Sequence, residues 1–254
     1  MNQPIVLKKT TDTSRTKRYL EGRGIDSDII QECIDNGIIL EELFYQERFN
    51  SKTKESYKSP KPCHNIVFVG RDNEDNIRYA SWHSLGQTPR KGIKKRSQKE
   101  YSFRIIGDPT NPNVHVFKSE IDLLSYATML KLRGYDWHKQ NMITLGGEYV
   151  PTPDRLRLPF AMKSFFKTHP TVKEDPLLQN LEDDLSKNPS KMRRERIVYL
   201  HFSNTENGKN QSKQIENILQ KTTDYTVRNI TQSMEKYGED VNDILKTYLK
   251  KTME

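Results

Sequence analysis

The densest chemistry in this 254-residue chain is cationic. Between positions 88 and 99 stand Arg90, Lys91, Lys94, Lys95, Arg96 and Lys99, six cations in twelve residues. Such a run can track a phosphate backbone, because each contact releases condensed counterions. Tyr79, Trp82 and Tyr101 flank it and offer faces for stacking on bases; the plainer alternative is a solvated loop over core aromatics. Two other segments merit attention because they follow strand-like runs, where open parallel sheets build their sites. They are Phe117-Lys118-Ser119-Glu120-Ile121-Asp122 and Phe202-Ser203-Asn204-Thr205-Glu206-Asn207-Gly208. No Gly-x-x-x-x-Gly-Lys-Ser/Thr occurs, so a P-loop is not supported, and Gly146-Gly147 reads as a turn at a strand end. The six histidines are scattered without metal-ligand spacing, and His201, on an apolar run, reads as a packed residue.

The elements that would position these residues follow from periodicity. Residues 15–40 read as two short helices, with Asp26 or Ser27 as a cap, Cys33 in the core and Gly37 as a stop. Residues 44–64 are polar and rich in Lys, Ser and Pro, and read as a loop. Ile66–Gly70 and Ile77–Trp82 predict an antiparallel hairpin around a turn-rich link. From residue 114 onward strand and helix alternate four times: strands at 114–117, 142–145, 197–202 and 225–230, helices at 120–133, 154–168, 209–221 and 239–250. That rhythm predicts a mostly parallel sheet covered by helices. Residues 172–196 interrupt it with charge and proline and read as a surface insertion, with a short helix near Leu177–Leu185.

In this order the segments resemble the primase-like proteins of Gram-positive mobile elements, in which a small domain of unknown function precedes a Toprim domain. The resemblance rests on Arg18–Ile25, Asn65–Gly70, Arg78–Ser81 and Ser97–Phe103. In the Toprim part it rests on Val116-Phe117, Ile121–Ala127 and Gly238–Leu245. It implies an α/β fold: a Toprim-like, mostly parallel sheet flanked by helices over 109–254, preceded by a small α+β domain with a β-hairpin over 1–108. It also implies Mg²⁺-assisted phosphoryl chemistry, with a Glu after the first Toprim strand as general acid or base. An Asp-x-Asp pair after a later strand would hold the metal through hard oxygen ligands.

The sequence departs from that pattern at each key position. Lys118 stands where the Glu belongs, and Ser203 and Thr205 replace the Asp pair. An ammonium group cannot ligate Mg²⁺, and hydroxyls ligate it poorly. The leading expectation is therefore a nucleic-acid-binding protein without catalytic residues, metal or cofactor. Arg90, Lys91, Lys94, Lys95, Arg96, Lys99 and Lys118 would contact phosphate. One alternative is a residual Mg²⁺-dependent nuclease or primase with relocated carboxylates, drawn from Glu120, Glu206, Asp240, Asp243 and Asp122. For Asp122 and Asp240 the plain reading is a first-turn acid complementing a helix dipole. A second alternative is a protein-interaction module acting on a replication or host-defence complex. Longer relatives carry a further N-terminal region, and this chain starts after it, which lowers the expectation of priming.

Bulk properties fit the leading expectation. The net charge is +8, which favours polyanionic partners, and the resemblance makes DNA the expected one. Hydrophobic residues make up 33% and aromatics 9%, enough for a folded core with long solvated connections. Two lone cysteines give neither a disulfide framework nor a zinc ribbon, and the expectation is of no signal peptide and no membrane span. The expected location is cytoplasmic, with no membrane partner.

Overall fold

The computed structural model describes residues 4–86, 90–108, 110–147, 158–168, 196–222 and 225–253. Two five-stranded sheets dominate them. The first is antiparallel and takes the N-terminal strands β1 (Lys9–Thr10), β2 (Ile39–Phe44), β5 (Cys63–Arg71), β6 (Ile77–Ser84) and β7 (Lys91–Ile93), in the order β1-β2-β5-β6-β7. Helices α1 (Ser14–Glu21) and α2 (Ser27–Asp35) pack against it. Asp26 caps α2 by accepting from the Asp28 and Ile29 backbone N–H groups at 2.9 and 3.3 Å.

The second sheet runs β12 (Thr226–Asn229), β11 (Ile197–His201), β9 (Val114–Phe117), β10 (Met142–Thr144), β8 (Arg104–Ile105). Its three pairings among β9 to β12 are parallel, and β8 closes one edge antiparallel. The helices are α3 (Glu120–Leu132), α4 (Phe160–Thr168), α5 (Glu206–Thr222), the single turn α6 (Ile230–Ser233) and α7 (Val241–Met253). The strand–helix rhythm read from the sequence is thus present, with boundaries moved by a few residues.

Side-chain alternation on the central strands explains the layering. Val114, Val116, Val198 and Leu200 face α4 and α5, joining Phe165, Ile215 and Leu219 in one core cluster. The intervening residues face α3 and make an aromatic layer instead. Register places Tyr199 opposite His115 and His201 opposite Phe117. The rings stack at 4.4 Å for the first pair and 4.3 Å for the second, and Tyr126 of α3 lies over them. His115 Nδ1 and His201 Nε2 share a hydrogen bond of 2.9 Å. The expectation that His201 is a packed residue agrees with this.

One core cluster takes residues from both ends of the chain: Leu20, Ile29 and Phe68 with Phe117, Leu124, Ile244 and Leu245. Polar links cross the same seam. Lys131 pairs with Asp26 and Asp28 at 2.6 Å, and the Asn242 amide donates to the Arg23 carbonyl at 2.8 Å.

Two expectations need correction. Residues 44–64 are not a loop throughout: they hold a separate hairpin, β3 (Glu47–Asn50) and β4 (Glu55–Lys58), with Glu47 opposite Lys58. Its polar, lysine-rich composition hides the strands because both faces meet water, leaving no hydrophobic alternation to read. The basic stretch 88–99 likewise contains the edge strand β7, paired with β6 through Ser81–Ile93 and His83–Lys91. Cationic residues suit a solvent-facing edge, which they protect from further pairing. Positions 88 and 89, the insertion over 172–195 and the helix expected near Leu177–Leu185 lie outside the described residues.

Candidate functional site

A cleft of about 580 Å³ opens at the carboxyl ends of the parallel strands, where they meet the N-terminal sheet. Its walls come from segments far apart in sequence. Helix α1 and the turn after it supply Arg15, Arg18, Tyr19 and Arg23; the end of β6 supplies His83–Gly86; β7 and its approach supply Arg90 and Lys91. The floor is Ser119, Ile121 and Asp122 after β9, with Asp240, Asn242 and Asp243 at the start of α7. Five cations therefore face three carboxylates. The Arg23 guanidinium lies 5.5 Å over the Tyr19 ring, which holds it at the rim.

Helix starts fix the acidic floor. Ser119 caps α3 by accepting from the Asp122 N–H, and its hydroxyl donates to Asp122 Oδ2 at 2.6 Å. Asp122 is buried; burial foremost, then the nearby Asp240 carboxylate, pushes its carboxyl up to about 7. Asp240 caps α7, accepting from the Asp243 N–H at 2.9 Å. His83 is held below its ordinary range mainly by burial, with Lys91 and Arg23 adding to the effect and Glu120 opposing it.

The positions where the resemblance implies metal-binding carboxylates lie beside this cleft. Lys118 Nζ donates to Gln211 Oε1 on α5 at 2.5 Å. Its pKa is lowered, first by partial burial and then by Lys91, against the pull of Asp122. The Ser203 and Thr205 hydroxyls bond to one another at 2.8 Å, and Thr205 Oγ1 accepts from the Gly208 N–H, capping α5. Gly208 is needed for that close turn, since a Cβ there would sit 2.1 Å from the Ser203 carbonyl oxygen. Asn204 ties the loop to the neighbouring segment through Glu239 and Gly238. One ammonium and two mutually bonded hydroxyls do not fit Mg²⁺, which takes hard, anionic oxygen ligands. Among the described residues no group of three or more His, Cys, Asp or Glu is arranged to hold a metal ion.

The proposed substitute acids divide. Asp122, Asp240 and Asp243 share the cleft. Glu120 turns away from it and accepts from Ser81 Oγ on β6 at 2.5 Å, with His83 Nε2 3.8 Å away. Glu206 is exposed in the first turn of α5, outside the cleft walls. The cations divide too. Arg90 and Lys91 face the cleft, whereas Lys94 reaches the buried Glu42 at 2.5 Å. Lys95 and Arg96 are exposed beyond β7, and Lys99 is half-buried in a short 3₁₀ turn. Of the flanking aromatics, Tyr79 is fully buried and cannot reach a base, and Trp82 packs over Gly92. Arg15, Arg18 and Arg23 escaped the sequence reading as site residues. Their signal was the spacing of Arg15 and Arg18, one turn apart on a short amphipathic helix.

Comparison with known proteins places this architecture. Residues 18–109 match a family described as a protein of unknown function, DUF3991. An uncharacterized Bacillus anthracis protein, pXO2-78, is 28% identical over 141 residues, which are 53% of this chain and 36% of that protein. The chain thus spans about a third of the length of that curated relative. A DNA primase domain from Pseudomonas aeruginosa superposes with a TM-score of 0.53 at 12% identity, covering 93% of this chain and 68% of that one. The fold is primase-like. In this primase-like fold the mostly parallel sheet flanked by helices follows, in chain order, the antiparallel sheet with α1 and α2. The RNA polymerase domain of Mycobacterium tuberculosis primase DnaG superposes more loosely, at a TM-score of 0.47 and 10% identity over 92% of this chain and 72% of that one. No helix among the described residues is long and apolar enough to cross a membrane.

Proposed function

We propose that this protein binds nucleic acid, DNA above all, in the cleft between its two sheets, and that it does so without metal-dependent catalysis, as an accessory to DNA processing on a mobile element. The observation that carries the reading is the charge of the cleft: Arg15, Arg18, Arg23, Arg90 and Lys91 surround three aspartates, while Lys118 and the paired hydroxyls of Ser203 and Thr205 stand where the resemblance implies carboxylates. Arginine forks suit phosphate oxygens, and Lys118 adds a point charge beside them. The primase-like fold supports the substrate class.

The test is direct. Binding of labelled DNA by the full chain should be the same in EDTA as in Mg²⁺, with no nicking in either. Replacing Arg18, Arg90 and Lys91 together by Gln should weaken binding at least about tenfold and lower the salt slope by about 2 to 3, as expected for roughly three lost phosphate contacts. Strict dependence on Mg²⁺, or nicking abolished by Asp122→Asn, would instead establish the residual-enzyme reading, which the convergence of Asp122, Asp240 and Asp243 favours over Glu120 and Glu206.

A further inference from the structure

The β3–β4 hairpin belongs to neither large sheet. An isolated two-stranded ribbon is marginally stable in water, so what it presents to solvent calls for an account. Of nine exposed large hydrophobic side chains among the described residues, three lie on this short arm: Tyr45, Phe49 and Tyr57, at 48, 65 and 47% exposure. Around them the segment 45–61 carries five Lys and Arg against two Glu, and Lys52, Lys54, Lys58 and Lys61 are all exposed. Cations interleaved with exposed aromatic rings match a strand of unpaired nucleotides, whose bases stack and whose phosphates are neutralised. An apolar protein partner would not call for the cations, and a duplex would keep its bases out of reach.

The arm is held in a defined place. Its tip is an Asx turn, in which the Asn50 side chain accepts from the Lys52 and Thr53 N–H groups, and Lys54 adopts a left-handed conformation at φ 56°. Its base is clamped by buried Ser59, whose hydroxyl donates to the Lys61 carbonyl at 2.8 Å and accepts from the Gln46 N–H at 3.1 Å. The chain then enters β5, where the His64 carbonyl accepts from the N–H of Leu85, a wall residue of the cleft, at 2.9 Å. The arm therefore rises from the sheet end that borders the cleft.

We infer that the β3–β4 hairpin is a stacking arm for single-stranded nucleic acid leading to or from the cleft, with Phe49 and Tyr57 as the base-contacting rings. Register sets Phe49 and Tyr57 on opposite faces of the ribbon, so they hold bases on two sides of the arm. This inference rests on the nucleic-acid reading of the cleft.

Fluorescence anisotropy with labelled oligothymidylate and with a duplex separates the two claims. The full chain is compared with Phe49→Ala/Tyr57→Ala, with Phe49→Trp/Tyr57→Trp, and with the cleft variant that replaces Arg18, Arg90 and Lys91. The alanine pair should lose about tenfold or more in affinity for the single strand, the value of one or two stacked bases, and little for the duplex. The tryptophan pair should restore it. Both residues are exposed, so circular dichroism should be unchanged. Unchanged single-strand affinity in the alanine pair, alongside a weakened cleft variant, overturns the arm alone. Equal losses on single strand and duplex also overturn it. A wild-type chain that binds neither ligand overturns both readings.

Discussion

Lowering the pH from about 7 to about 5 is expected to draw folding stability from two imidazoles in the middle of the parallel sheet, about 2 kcal/mol of it from His115 alone. His115 and His201 are 5 and 2% exposed and bonded to one another. Burial drives His115 down to about 3, and it drives His201 well below its ordinary range, with His115 adding to the effect. The neutral pair has a consistent proton arrangement. If His201 donates from Nε2, His115 accepts at Nδ1, and His201 Nδ1, which has no partner, is left as a lone pair rather than a stranded N–H. Adding a proton destroys that arrangement inside a stack of Phe117, Tyr126 and Tyr199.

The sign follows from linkage. Both native pKa values lie below the unfolded value, so the unfolded chain binds more protons and stability falls with pH below about 6.5. Over the stated window His115 contributes about 2 kcal/mol of loss, and His201 adds to it in the same direction. Asp122 works in the opposite sense. Its carboxyl is raised to about 7, so the native state takes up a proton that the unfolded chain does not, returning about 2 kcal/mol on acidification. Urea denaturation at the two pH values measures the net. The variant His201→Leu, whatever its baseline, should show a smaller loss. Identical pH dependence in variant and wild type would refute the assignment.

The second large effect isolates that carboxyl. Asp122→Asn is expected to stabilise the protein by about 2 kcal/mol at pH 8, where the wild type must keep a buried carboxylate ionised beside Asp240. Near pH 5 the two proteins should be of similar stability, because the wild-type group is then protonated and nearly isosteric with the amide. Part of the gain is offset because the amide accepts fewer hydrogen bonds from Ser119 and the Asn242 backbone than a carboxylate does. Thermal melts at the two pH values decide it, and a variant less stable than wild type at both would sink the claim. The result also bears on function: a carboxyl that the fold would rather hold neutral is poorly suited to holding a cation, and greater stability without it would favour the metal-free reading.

Where apolar side chains alternate or recur with the helical period, the sequence was a reliable guide. Val114–Phe117 was placed to the residue, and α3 and β11 to within one. Such runs are buried on both faces, so their pattern and their structure have the same cause. Strands that carry charge were the ones missed. Strand β2 drew no strand assignment because Glu41 and Glu42 interrupt its apolar residues. Both are buried and satisfied, Glu41 by the Thr16 N–H and His64, Glu42 by Lys94 and the Lys8 N–H. Those partners lie 23 to 52 residues away, so no local window or periodicity reveals them. The cleft was legible in part for the same reason. Arg90, Lys91, Asp240 and Asp243 were identifiable from local density or helix position, whereas the place of Arg15, Arg18 and Arg23 depends on how α1 docks, and that is decided by long-range packing against β2 and β5. Lys94 shows the converse: a cation in a basic run that the fold commits to an internal partner.

The core that joins Leu20 and Phe68 to Leu124 and Leu245 has a kinetic consequence for whatever enters the cleft. Its two walls stand on a common apolar foundation rather than on a linker, and the Asn242–Arg23 and Lys131–Asp26 links pin them together at the seam. The guanidinium groups of α1 are thereby set opposite the aspartates of α3 and α7 before any ligand arrives. A ligand meeting such a preorganised surface has little ordering entropy to overcome, so its arrival rate should follow diffusion and charge, and its affinity should be tuned through the time it stays bound.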